Sequence, residues 1–463
     1  MSLAVLTTIL RYEFLLLLRS RGSLAALVLL LLSGGYALFY GRQELAHQQA
    51  VMAAFPARQK AMDSSYLNAR FGKQEAAGRV GFYLNLPAVH EPLPQAALAL
   101  GVRDLHPYCL GLRLLSLQSQ KYDSNLENPI KLMAGNFDLS VVVVQLLPLA
   151  IIALTYNLRS GEEEKGTLRL LQTASLPLAQ VLGLKLLLRV GLLTLAMNAL
   201  LGLGWLASGA SGAIWPWLAL LNGYLLFWIA LVLWIVSFGR NSSWNAIVLL
   251  GCWLVFTTLL PSLTNLAIQR ALPLDRGYRL TLQARQSTHE GWDQDKKAMA
   301  EEFLKLHPRW ATLCRPDPEK FTWSWYFANQ LVADDRVAAD ASAYLDGLKE
   351  RELWTYRAGL LCPPLNLQQN FDSLAGTDLT AEILFLEGLD QAHRQLQDLL
   401  LPEIFAERKL NPQEYSKLLE RLQTWRFQPR PNSGRVGESL LALCLTSSLF
   451  LVLARTNARR NLG

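Results

Sequence analysis

Apolar residues gather into runs along this chain rather than spreading evenly. Six stretches carry at most one charged side chain each: Ser23–Tyr40, Phe137–Asn157, Gly191–Ala207, Ile214–Ser237, Trp244–Ile268 and Ser439–Ala454. Each is close to the length a helix needs to cross the hydrocarbon core of a bilayer, about 20 residues, and six spans are expected. Between the first two runs, and again between the last two, the pattern turns polar. The first polar segment, about 42–136, begins as a helical continuation of the first span and is then punctuated by Pro87, Pro92, Pro94 and Pro107. In the second, about 269–435, apolar residues recur every three or four positions over 340–361 and 379–409, the mark of amphipathic helices. Asn411-Pro412 reads as a helix N-cap with proline at the first helical position. The two segments together are expected to form one mostly helical domain.

Composition agrees with this division. The 463 residues are 51% hydrophobic and 17% charged, against roughly 25% charged for an average soluble protein. The mean hydropathy of +0.19 is an average over apolar spans and water-exposed segments. A soluble globule, a disordered chain and a fibrous protein are excluded. The apolar start of the chain is not expected to be a cleaved signal, because Arg19 and Arg21 stand just ahead of the first span and no small-residue cleavage site follows.

Charge sets the expected orientation. Arg11, Arg19, Arg21, Arg159, Lys165, Arg169, Lys185, Arg189, Arg240, Arg455, Arg459 and Arg460 all fall on one side of the six-span topology, against Glu13, Glu162, Glu163 and Glu164. Basic residues in short loops mark the cytoplasmic face, which puts both termini in the cytoplasm and the two long segments outside. Those segments are almost neutral, with 32 basic and 31 acidic residues. The net charge of +7 is thus a sign of topology, and no nucleic-acid partner is expected, since such proteins carry their charge as a patch on a folded face. The expected organisation is an elbow helix and first span over 1–41, an exterior insertion over 42–136, spans two to five over 137–268 with a cytoplasmic loop at 158–190, a second insertion over 269–435, and a sixth span with basic tail over 436–463.

Several chemistries are missing. The chain has no GxxxxGK[ST] phosphate loop, no HExxH and no GxSxG. The histidines (His47, His90, His106, His289, His307 and His393) are scattered through the exterior segments, and no metal site or catalytic centre is expected. Cys314 and Cys362 could pair in an oxidising exterior, or stay free thiols beside Cys109.

The loop after the second span carries the most information. Residues 160–177 (SGEEEKGTLRLLQTASLP) combine an acidic helix start, a break at Gly166-Thr167, and leucines at 168, 170 and 171. A short helix held at the membrane face between two spans is something a soluble motor could push on; a solvated charge run without a partner is the other reading. Here the chain resembles the type-2 ABC exporter permeases, through Glu162, Glu164, Gly166, Thr167, Leu168, Leu171 and Pro177. The start of the chain is similar to that family's interfacial elbow helix, with Arg11, Glu13, a leucine run, Arg19 and Arg21. A narrower resemblance, to permeases labelled for multicopper-enzyme maturation, rests on Asn128-Pro129, on Gly135 to Asp138, and on 372–379 (DSLAGTDL).

The resemblance implies an all-α membrane protein of six transmembrane helices with an elbow helix and a mostly helical extracytoplasmic domain, in a bacterial inner membrane. It implies a permease that exports an unidentified substrate, paired with a second permease chain. ATP and Mg would be bound by a separate ATPase subunit, and none in this chain. Coupling would run through Glu162, Glu163, Glu164, Gly166, Thr167, Leu168 and Leu171, and the elbow would lie against lipid headgroups. The large insertions leave room for a periplasmic partner. They also leave two alternatives, a mechanotransmitter that moves its exterior domain without transport, and a membrane-anchored scaffold. Gln145, Asn198, Asn222 and Asn265 are the polar residues of the spans that could line a path, or else bond between helices. Asp138 reads either as an exterior gate or as a helix N-cap. Pro148 and Pro261 are expected to kink spans two and five.

Overall fold

The computed structural model describes residues 3–70, 74–121, 135–168, 177–273, 276–314 and 320–460. Six helices are long and apolar enough to cross a membrane, within Arg21–Ser65, Leu139–Glu164, Gln180–Ser208, Trp215–Val236, Ser242–Ala271 and Val436–Arg460, each coinciding with one of the six apolar runs. Spans two and four form the centre of the bundle. Of their apolar windows 67% and 61% are buried in the protein, against 17% for span one and 11% for span five. Aromatic rings fill that centre: Trp217, Tyr224, Phe227 and Trp228 of span four are fully buried, and Phe227 meets Phe256 and Phe450 edge to face. Ring pairs of this geometry add roughly 0.5–1.5 kcal/mol beyond the area they bury.

Both prolines sit where a span changes its winding. Spans two and five each hold one π-helical turn, Val142–Leu146 and Val255–Leu259, and the following α-helical segments begin with Pro148 and Pro261 at the first or second position. Proline has no N–H to return to the carbonyl one turn back and would clash with it, and an extra residue in the turn relieves both problems. Freed carbonyls inside a bundle need other donors. Tyr224 supplies one, its hydroxyl donating to the Val144 carbonyl at 2.9 Å, and Trp253 Nε1 donates to Gln145 O at 3.0 Å.

Span one does not end with its apolar run. The helix Arg21–Arg70 continues for 50 residues, about 75 Å at 1.5 Å per residue, so its second half rises from the bundle as a stalk. Gly41 allows a 3₁₀ turn, Pro94–Ala97, to lie directly on that helix, since a Cβ at 41 would stand 2.0 Å from the Ala97 carbonyl oxygen.

The two polar segments share one head. Val80, Leu84 and Leu112 of the first pack with Phe303, Trp325, Phe327, Leu396 and Ile404 of the second in a single core. Most of the head is helical, notably Arg276–Asp293, Lys296–Leu306, Trp323–Gly359 and Leu379–Phe405. The proline-punctuated stretch, however, contributes to a three-stranded sheet, and a separate two-stranded ribbon lies in the same head. The strands are β1 (Glu75–Ala76), β2 (Asn85–His90), β3 (Cys109–Arg113), β4 (Lys409–Leu410) and β5 (Trp425–Phe427). β2 runs antiparallel to β3, with Asn85 opposite Arg113, and parallel to β5, with Ala88 opposite Trp425. β1 pairs with β4. Pro87 falls just before the β5 pairing begins, where the sheet is still edge-like and tolerates a missing N–H.

One helix of the head belongs to the membrane core. Pro363–Ala375 places Leu367, Phe371 and Leu374 in the same apolar cluster as the spans, and Phe371 lies 4.8 Å from Trp217 between ring centroids. Asn370 donates to Ser439 Oγ of span six at 2.9 Å. This plug helix closes the head end of the bundle. It ends at Gly376, whose φ of +66° is the left-handed cap that favours glycine.

The Cys314–Cys362 pairing is not made, and all five cysteines are free. Cys314 is buried in the head core, its N–H donating to Trp310 O. Cys362 caps the plug helix, and its thiol donates to the Phe256 carbonyl of span five at 3.5 Å. The two thiols serve different packing units.

Candidate functional site: the junction at the base of the bundle

At the end of the bundle opposite the head, the loop after span two folds into a short helix, Ser160–Glu164. Gly166 ends it with φ +72°, which a side chain would strain. Thr167 then turns back: its N–H donates to Glu162 O at 3.0 Å and its hydroxyl to Glu162 Oε2 at 2.5 Å. The Gly-Thr pair therefore fixes the Glu162 carboxylate in place.

The other oxygen of that carboxylate meets Lys185 of span three at 2.7 Å. Lys185 Nζ also lies 2.8 Å from Glu13 in the elbow helix Leu3–Arg19. Arg189, one turn further along span three, reaches Glu13 at 3.4 Å and donates to Leu154 O of span two at 2.9 Å. Glu13 and Lys185 are almost fully buried. A charge removed from water is tolerated only with compensating partners, and here they come from the elbow, the loop and span three together.

The loop is tied to span five as well. Glu164 accepts from the N–H of Ser242 at 2.8 Å and from its hydroxyl at 3.0 Å, at the N-terminus of Ser242–Leu254 where backbone donors are otherwise unused. Ser160 and Ser242 hydroxyls lie 2.8 Å apart, and Asn245 donates to Tyr156 O at 3.0 Å. Movement of the five-residue helix would thus load the elbow and spans two, three and five at once. Glu163, between the two anchored glutamates, is exposed, as are Arg11, Arg19 and Arg21 of the elbow region. Leu168 is half-buried, and Leu171 lies outside the described residues.

The polar residues of the spans do not converge on one path. Asn198 and Asn222 bond to each other through both amides, at 3.2 and 2.9 Å, and each also donates to its own helix. Gln145 lies on the π turn of span two. Asn265 is exposed near the head end of span five and accepts from Gln269 at 3.4 Å. Asp138 is a buried N-cap, accepting from Val141 N at 3.0 Å, Ser140 Oγ at 2.7 Å and Leu100 N at 2.8 Å. Gln368 of the plug helix links this corner to Asp372, donating to Ser140 Oγ and to Asp372 Oδ1, both at 3.0 Å. Burial, and then the Asp138 charge, push the Asp372 carboxyl well above the usual range.

A cluster in the head was not foreseen. Glu382 lies 3.6 Å from His90 Nδ1 and 3.9 Å from His106 Nδ1, beside a cavity of about 390 Å³ that includes Tyr344 and Leu386. Burial raises Glu382 to about 7 and lowers His90 to about 3, so at neutral pH their contact is not an ion pair. Arg103 donates to Gln48 at 3.0 Å and to the His90 carbonyl, fixing this corner to the stalk. Among the described residues, no group of three or more His, Cys, Asp or Glu is placed to hold a metal ion.

Lys185, Arg189 and Ser242 complete the junction, and their signal in the sequence was faint. Lys185 and Arg189 are cations four residues apart at the start of a largely apolar helix, and Glu13 is an acid just ahead of a leucine run. Each pattern calls for a partner, but neither names it.

Comparison with known families gives two matches. The profile described as ABC-2 family transporter protein matches residues 7–277, over half of the chain, and takes in the elbow, spans one to five and the junction. The profile described as Domain of unknown function (DUF3526) matches residues 279–427 of the head. Neither a curated protein nor a solved structure matches the chain.

Proposed function

Since the chain belongs to the ABC-2 transporter family and is a membrane component of an ABC transporter, we propose that it is an exporting permease subunit driven through the junction at its base. In this reading ATP and Mg bind to a separate ATPase subunit that docks on the basic end of the bundle. A second permease chain, identical or homologous, completes the path. The head faces the periplasm from a bacterial inner membrane, where it can receive a periplasmic partner, and both termini are cytoplasmic.

The observation that carries the reading is the double anchorage of the Ser160–Glu164 helix. Glu162 ties it to Lys185, and through Lys185 to the elbow; Glu164 ties it to the start of span five. A five-residue helix exposed on one side, continuous with span two, bonded to spans three and five on the other and joined through Lys185 to the elbow, suits the transfer of force from a soluble motor to the spans.

The test is ATP turnover by the purified complex of chain and ATPase in proteoliposomes. Glu164→Ala frees the start of span five, and Gly166→Val strains a residue with positive φ. Both variants are expected to co-purify with the ATPase while losing the stimulation that assembly gives the wild type. Wild-type ATP turnover in both would overturn the assignment of the junction. Vectorial movement of cargo into inside-out vesicles on addition of ATP tests the direction.

A further inference from the structure

Next to the junction, a groove of about 450 Å³ opens between the basic ends of four spans. Its floor is hydrocarbon, including Leu158 of span two, Leu182 and Leu186 of span three and Leu233 of span four. Two arginines line it, Arg159 ahead of the short helix and Arg455 of span six, and no acidic side chain does. The Arg159 guanidinium lies over the Gly239 turn, its Nε buried without a hydrogen-bond partner. Among the described residues neither arginine forms an ion pair, although Lys185 and Arg189 close by are fully paired.

We infer that this groove is a binding site for one anionic phospholipid, with an acyl chain on the leucine floor and the headgroup phosphate between Arg159 and Arg455. The lining selects this occupant. Leu233 and Leu451 lie inside the apolar lengths of their spans, and Leu182 and Leu186 line the same wall from the basic end of the span-three helix, so the body of the occupant is hydrocarbon. Two guanidiniums without an acidic partner at the basic end favour an anion, and guanidinium suits phosphate. Basic pockets between spans at this depth are where acidic headgroups are drawn in. The site touches the residue that begins the short helix and the face of span three adjoining Lys185, so a bound lipid would brace the junction against the membrane plane.

Retention of lipid by the purified full-length chain in neutral detergent, read by native mass spectrometry, tests this. The probes are phosphatidylglycerol and phosphatidylcholine with identical acyl chains, with inorganic phosphate as competitor. Phosphatidylglycerol is expected to be retained roughly 25-fold over phosphatidylcholine, since each of the two basic side chains adds on the order of fivefold to anionic-lipid attraction. Arg455→Gln, at an exposed position that leaves the fold undisturbed, lowers the preference, and Arg159→Gln with Arg455→Gln abolishes it. Leu186→Trp fills the floor and lowers retention of phosphatidylglycerol, whereas Arg240→Gln, outside the groove, leaves it unchanged. Equal retention of the two lipids, a preference that survives the double substitution in a chain of wild-type melting temperature, or displacement of phosphatidylglycerol by inorganic phosphate would each overturn the site.

Discussion

Lys185 and Glu162 meet at 2.7 Å at the base of the bundle, and the same ammonium holds Glu13 of the elbow at 2.8 Å. The lysine side chain is 7% exposed and Glu13 5%, so this is an interior contact of two carboxylates around one cation. Lys185→Met leaves Glu13 with Arg189 alone, at 3.4 Å. Breaking one partner of a buried pair costs about 3 kcal/mol, and the variant should melt well below the wild type in detergent. Glu162→Gln, 17% exposed and still held by Thr167, should cost only about 1 kcal/mol. Equal melting temperatures for Lys185→Met and wild type would show that the junction adds nothing to stability.

The plug helix gives a second expectation. Phe371 is fully buried against Trp217, and Phe371→Ala would leave a cavity where head and bundle meet. Such truncations cost about 3–5 kcal/mol. Leu361, two residues before the plug helix, is 80% exposed, and Leu361→Ala should stay within about 0.5 kcal/mol of wild type. Unfolding in mixed detergent reads both, and a similar loss in both variants would refute the seating of the plug.

Tyr224 and Pro148 should behave as a coupled pair. Tyr224→Phe removes the donor to the Val144 carbonyl that the π turn leaves open, at a cost of about 0.8 kcal/mol, between the averages for hydrogen bonds in soluble cores and in membranes. Pro148→Ala restores an N–H to span two, so the tyrosine hydroxyl should matter less in that background. A double-mutant cycle measures the difference, and strictly additive losses would contradict the pairing of hydroxyl and proline.

The head should respond to pH through Glu382, whose carboxyl burial raises from 4.5 to about 7. The folded state holds this proton more tightly than the unfolded chain. The stability it contributes is fully present below 4.5 and is lost as pH rises to about 7, a change of roughly 3 kcal/mol. Glu382→Gln cannot ionise. The stability difference between wild type and variant should therefore shift against the wild type across that window and stay level above it. His90 and His393, both lowered by burial, affect the two proteins alike and cancel. Denaturant unfolding at a series of pH values checks this, and a difference independent of pH would place Glu382 in contact with water.

Not all of this was legible in the residue order. The Gly166-Thr167 break is a local feature: the residue order marks where the helix stops, and the structure adds the positive φ and the back-turning hydroxyl, which need only neighbouring residues. Asn411-Pro412 is similar, and the structure completes it as a capping box with Glu414. The strands of the head are two to six residues long, too short for a periodic signal, and two of the three pairings, β1 with β4 and β2 with β5, join positions more than 300 residues apart. The plug helix falls between the two amphipathic stretches of that segment, and its 13 residues carry no local sign that their apolar side seats in the bundle.

The sequence by itself determined the six spans, the unequal charge of their two ends and the break in the loop, because membrane crossing and turn geometry depend on residues close together in the chain. Tertiary structure decided which charges share a site. Glu13, Glu162 and Lys185 are separated by up to 172 positions, and each alone is a polar residue at the edge of an apolar run. Only packing of the elbow, the loop and span three excludes enough water to make the three depend on one another.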